Sequence, residues 1–279
     1  MQTMFLYRDI TLLNRDNHRT LRVAPANDLS FSTDTHIIPL AADEFLDSAK
    51  DFPVLFVRDA QEKVVPVALL GLEAGRNEWL DGDARWAKDT YVPAFIRRYP
   101  FVLASTAEDR FSVCFDAAFK GMNEQHGEPL FDESGNNTKF LDEVIHFLQE
   151  FTAAMRRTEA FVDALQRHEL LQPKTLTIRN DQGNSFVIND FIGIDEERFQ
   201  ALGESEKAEF CRNGWYHWVT AHWISLRTAG RLFSRHLERK ASLADDKTAA
   251  PLAKPDQDAD VAAGKSKEKG ATSTKRTRH

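Results

Sequence analysis

The chain has 279 residues, 42% of them hydrophobic and 28% charged, with a formal net charge of -7. These values are those of a chain that buries a core, and they exclude collagen-like or wholly disordered classes. The acidic balance argues against non-specific nucleic-acid binding by the whole protein. Its longest apolar run, Pro66 to Leu72, falls far short of the roughly 20 residues that cross a bilayer. Met1 to Leu13 carries Arg8 and Asp9 among its apolar residues and has no secretory signal pattern, so a cytoplasmic location is expected. Cys114 and Cys211 are too few for a disulfide framework, and both are expected to be buried free thiols.

In chain order, Ala41–Lys50 reads as a short helix after Pro39, closed by Pro53. Val54–Val57 and Val64–Leu70 flank the charged turn Arg58–Lys63 and predict a hairpin, with Pro66 at an edge or bulge. Turns at Glu73–Asn77 and Asp81–Asp83 bracket Glu78–Leu80, which extends the expected β-meander. Tyr91–Phe101 is an aromatic-rich segment bracketed by prolines, and Phe111–Asp116 alternates as a strand.

The period then changes. From Thr138, a candidate N-cap, Leu141, Val144, Leu148, Phe151, Met155, Val162 and Leu165 follow at helical spacing, interrupted by Thr158. This predicts a long amphipathic helix ended by Pro173, packed inside its own domain or, alternatively, along an intermolecular seam. Thr175–Arg179 and Ser185–Ile188 predict a second hairpin, and Asp195 caps a helical turn over Glu196–Leu202. A last helix is expected from about Ser205 to Arg239, with Cys211, Trp215, Trp218, His222, Ser225, Ala229 and Phe233 facing the first long helix. From Ala241 onward aromatic residues vanish and eight basic residues stand against six acidic ones. Met1–Lys240 is therefore expected to form a single domain and Ala241–His279 a disordered tail. The tail's basic cluster, Lys265–Lys269 and Lys275–Arg278, is a candidate contact for an anionic surface, RNA or an acidic partner; the alternative is a solvated tail.

Glycine-rich phosphate loops, a GxSxG elbow, HExxH and CxxC are all missing from the sequence. No metal or other cofactor is expected: His126-Gly127-Glu128 and His236-Leu237-Glu238 have ligand-like spacing that recurs by chance. The acidic turns Asp81–Asp83 and Asp132–Gly135 lack the register of a calcium loop. Two groupings remain. Arg97 and Arg98 beside Tyr91, Tyr99 and Phe101 place guanidinium groups where they can hold a carboxylate or phosphate, or simply form ion pairs with the acidic body. His217 and His222 lie in the aromatic run Trp215–Trp223, about 140° apart on a helix, which prevents them from sharing a ligand readily. His222 is expected as a core histidine bonded to the first long helix, with ligand binding or proton transfer as the alternative.

Several segments resemble the SapC family of bacterial proteins: His36–Leu40 with Glu44-Phe45, Asp51–Phe56, Pro66–Leu72 and above all Tyr91–Phe101. Leu130–Glu133, Phe147–Glu150 and Arg157–Phe161 are similar too, so the likeness runs from about Leu6 to Leu232. The resemblance implies a role near the transport of surface-layer protein, and it carries over no catalytic residue. Together these readings predict an α+β domain of antiparallel meander and hairpins packed with two long helices. The functional expectation is a non-catalytic accessory protein with a protein partner in export or assembly of surface-layer-type proteins. The alternative is an enzyme or small-ligand binder whose pocket joins Arg97, Arg98 and Tyr99 to His217 and His222.

Overall fold

A computed structural model describes residues 6–25, 28–107, 110–180 and 182–249. In chain order the elements are β1 (Ile10–Leu12), β2 (Arg22–Val23), β3 (Ile37–Pro39), α1 (Phe45–Ser48), β4 (Val54–Arg58), β5 (Val64–Leu69) and α2 (Ala94–Arg97). There follow β6 (Phe101–Ala107), β7 (Arg110–Asp116), β8 (Met122–Asn123), β9 (Glu128–Pro129) and α3 (Lys139–Arg167). The chain closes with β10 (Leu171–Arg179), β11 (Ser185–Ile194), α4 (Glu196–Gln200), α5 (Glu204–Arg212), α6 (Trp215–Ser225) and α7 (Ala229–Ala249). Three antiparallel sheets result, ordered β10-β11-β4-β5-β3, β1-β7-β6 and β8-β2-β9. The α+β class and both expected hairpins are present, and no helix among the described residues is long and apolar enough to cross a membrane.

α3 joins the layers. Thr138 caps it by accepting from the Leu141 N–H, which supplies one of the donors that a helix start leaves unmatched. Its N-terminal half buries Leu141 and Leu148 with Phe101 and Phe115 of the small sheet. Its C-terminal half buries Phe161, Val162 and Leu165 in the main core. The apolar stripe is thus consumed within the chain. Thr158, the polar interruption, is buried because its hydroxyl accepts from the Ala42 N–H at 2.7 Å and donates to the Ala154 carbonyl at 2.8 Å.

Several expectations are corrected. The β10–β11 hairpin joins β4, so the two expected hairpins share one sheet. Glu78–Leu80 is loop, held by one bridge between Leu80 and Trp86. Pro66 lies on an interior strand opposite Phe56. It is tolerated there because β3 ends before it, and its carbonyl accepts from the Leu40 N–H. α3 stops at Arg167, ahead of Pro173, which sits inside the edge strand β10. The expected last helix breaks into α5, α6 and α7, the first break falling at Gly214, whose φ of 73° lies in the left-handed region. Trp215 and Trp218 do reach Phe161 of α3, but Cys211 is exposed and only Cys114 is buried. α7 continues through Ala249, past the boundary expected at Lys240, while the rest of the expected tail lies outside the described residues.

His222 is the largest departure, because it bonds to the sheet and not to α3. β11 and β4 are paired at one position only, Ile192 opposite Phe56. At the next step, where Ile194 and Val54 would meet, side chains of α6 intervene. His222 Nε2 accepts from the Ile194 N–H at 3.1 Å and Nδ1 donates to the Val54 carbonyl at 2.8 Å. Trp223 Nε1 donates to the Ile194 carbonyl at 3.0 Å, and Ser225 Oγ accepts from the Val54 N–H at 2.9 Å. Every outward backbone group of the two residues is thereby matched, as buried amides require.

Burial holds His222 down at about 4, below its ordinary 6.5. Protonation would also turn Nε2 into a donor facing the Ile194 N–H. The unfolded chain takes up this proton near 6.5 and the folded chain only near 4, so His222 makes stability fall as pH drops through that window. Chemical-denaturation midpoints should show His222→Gln weakened by about 1–3 kcal/mol at pH 8. The gap to the wild type should narrow as pH approaches 4; a gap independent of pH would remove His222 as its source.

Candidate functional site

The segment from Tyr91 to Phe101 is fixed at its start by a buried carboxylate. Glu44, in the turn before α1, accepts from the Ala94 N–H at 2.6 Å, from Tyr91 Oη at 2.9 Å and from the Ala41 N–H at 3.2 Å. Burial pushes the Glu44 carboxyl above its ordinary value, and the donors pull in the opposite direction. Pro93 ends the extended approach and Glu44 caps the Ala94 amide, so α2 begins at Ala94, ends on Arg97 and has Arg98 as its C-cap.

The two arginines have different surroundings. Arg97 is exposed; its Nε donates to the Val92 carbonyl at 2.9 Å and its Nη2 to Tyr91 Oη at 3.1 Å. Its guanidinium lies 5.2 Å from the Phe147 ring centroid, leaving Nη1 without a protein acceptor among the described residues. The Arg98 guanidinium is sandwiched by rings, 3.9 Å from Phe95, 4.9 Å from Phe151 and 5.7 Å from Tyr7. Its Nε is buried with no hydrogen-bond partner, and burial draws the group below the ordinary arginine value. Neither forms an ion pair among the described residues, contrary to the bland alternative of pairing with the acidic body.

Tyr99 turns away to a structural role. Its ring stacks on Phe31 at 3.9 Å and its hydroxyl donates to Asp116 Oδ2 at 3.0 Å. Buried Asp116 also accepts from the Arg8, Asp9 and Ala118 amides, binding the N-terminal segment to the end of β7. Burial, reinforced by the Asp116 charge, keeps the Tyr99 phenol protonated well above its ordinary range.

Beside this segment lies a cavity of about 320 Å³, lined by Arg97 and Arg98 and by Phe119, Phe140, Val144 and Phe147 among others. Glu128, exposed on β9, is its one acidic wall residue. A smaller recess of about 170 Å³ shares Phe147, but its cation, Arg157, is already paired with Asp43. A cleft of about 710 Å³ opens where β4 and β11 part, lined by Val57, Arg58, Asp190 and Phe191 among others.

The expected composite pocket is not formed. Arg97, Arg98 and Tyr99 share one cavity, but neither histidine lines it. His217 is exposed on α6, and buried His222 has both ring nitrogens engaged by β4 and β11. Sequence reasoning missed the apolar wall. Phe140, Val144 and Phe147 stand at i, i+4 and i+7 on α3, but only Val144 belonged to the stripe read from the sequence, and that spacing is the signal that could have shown the other two. It also missed Glu44 and Asp116, whose roles depend on backbone amides distant in sequence.

The SapC family model matches residues 13–232. The chain belongs to the SapC family. The matched range contains the arginine segment, the α3 wall and the α6 side chains that bond to β4 and β11, and it ends within α7. No curated protein and no solved structure matches it.

An arginine desolvated without a carboxylate contributes little to folding beyond ring stacking, which amounts to about 1–2 kcal/mol. Methionine keeps contacts to the same rings. Thermal unfolding of Arg98→Met should therefore show stability within about 1 kcal/mol of the wild type. Arg231→Met, which strips buried Asp51 of an ion pair at 2.9 Å with a half-exposed guanidinium, should cost about 1–3 kcal/mol. Equal losses at the two positions would contradict this.

Proposed function

We propose that this SapC-family chain is a non-catalytic accessory protein that binds a protein partner during export or assembly of surface-layer-type proteins, acting from the cytoplasm. Membership of the SapC family supports this setting. The observation that carries the non-catalytic part is how the titratable side chains of the region are used. His222 is spent on two strands, Tyr99 on Asp116, Glu44 on two amides and a phenol, and Arg98 lies among aromatic rings. Groups so engaged hold structure and are not free to shuttle protons. What stays available is binding chemistry: the free edge of the Arg97 guanidinium above an apolar cavity. That cavity favours small-ligand binding as the second reading, with the pocket reduced to the arginine side.

Met1–Lys240 acts in this reading as one domain, and the basic end of the chain adds at most an auxiliary contact with an anionic partner. Native mass spectrometry of the full-length chain, isolated by affinity tag from its own host, tests the proposal. A defined protein retained in fixed ratio is the expected result. A chain that carries only a small molecule would replace the accessory reading with the ligand-binding one.

A further inference from the structure

We propose that the cavity between α2 and α3 is a binding site for a carboxylate carried on an apolar stem, with the head group held by Arg97 and Arg98. The inference rests on the reading of this region as a binding site, and it names the ligand chemistry.

The charge balance points to an anion. The folded body is rich in acid, and several of its arginines pair with carboxylates: Arg231 with Asp51, Arg239 with Glu78, Arg157 with Asp43 and Arg167 with Glu209. Yet the adjacent Arg97 and Arg98, both walling one cavity, have no carboxylate within 4.0 Å among the described residues. A guanidinium stays protonated even when desolvated, so a positive charge persists at the cavity wall. Arg98 Nε is buried and unmatched, and Arg97 Nη1 has no protein acceptor. A ligand carboxylate bonding to Arg97 Nη1, with the Arg98 charge beside it, would be favoured more strongly here than in water, because the aromatic walls lower the local dielectric.

The shape points to an apolar stem. Phe119, Phe140, Val144 and Phe147 are partly exposed, and they line the cavity with the arginines. The volume of about 320 Å³ lies at the small end of the range for ligand cavities, suited to a short aliphatic or aromatic acid. Glu128 is exposed on β9, where solvent screens its repulsion.

Decanoate, titrated into the full-length chain below its micellar concentration and followed by calorimetry, is the probe. The expected result is saturable binding of one decanoate per chain. 1-Decanol should bind about tenfold more weakly or worse, as should Arg97→Gln with decanoate, given the strength of a charge-assisted bond. Decyltrimethylammonium should not bind. Val144→Trp should abolish binding by filling the cavity; circular dichroism checks its fold, and the exposed Arg97→Gln serves if it fails to fold. Absence of decanoate binding, equal affinity for decanol, or affinity unchanged in Arg97→Gln would overturn the proposal. These outcomes are independent of the partner experiment: a chain that captures a protein but ignores decanoate refutes only this inference, and one that binds decanoate without a partner refutes only the accessory role.

Discussion

The five-stranded sheet depends on hydrogen bonds that α6 side chains make to Val54 and Ile194. Two hairpins far apart in sequence, β4–β5 and β10–β11, meet at one backbone register position. A single paired position would leave adjacent amides and carbonyls buried and unmatched, at a cost of about 1–3 kcal/mol each. His222, Trp223 and Ser225 prevent this. One imidazole serves both strands because, in its neutral form, one ring nitrogen donates while the other accepts. That division of roles explains why the densest aromatic run of the chain contains a histidine that never faces solvent.

Around this junction α3 works as a beam. Its C-terminal half is locked into the large core and its N-terminal half covers the β1-β7-β6 sheet, so the two cores cannot shift independently. The arginine segment crosses between them. Glu44 anchors its start and Asp116 anchors Tyr99 at its end, which fixes Arg97 and Arg98 against the flank of α3. The cavity follows from this arrangement, since Phe140 and Phe147 pack only partly against the two cores and also line the space beside the arginines.

α7 shows another use of polar side chains in the same fold. His236 meets buried Glu78 at 3.0 Å, Arg239 reaches the same carboxylate and the Asn77 carbonyl, and Arg231 pairs with Asp51. Arg231 and Arg235 also lie over the Trp79 ring. Here the arginines of α7 match the buried carboxylates of Glu78 and Asp51, which is the condition under which buried charge is tolerated. The contrast with Arg98 sets the α2 cavity apart.

Local chemistry made much of this architecture legible. Thr138 and Asp195 were readable as caps because an N-cap acts within three residues, and the hairpin turns and the α3 stripe are likewise short-range patterns. The Tyr91–Phe101 segment carried the family likeness and half of the candidate site. Strand β6 was missed because its apolar residues follow directly on that segment, and the last helix was drawn unbroken because Gly214 gives no periodic signal of its own. The sequence by itself determined the α+β class, the long helix, the hairpins and the family, since periodicity, caps and turn residues act over a few positions. Only the tertiary structure decided that His222 joins two strands, that it lies apart from Arg97 and Arg98, and that Arg98 is half-buried with no acid beside it. Those outcomes depend on which distant backbone groups remain unmatched once the hairpins and helices pack, and local spacing carries no information about that.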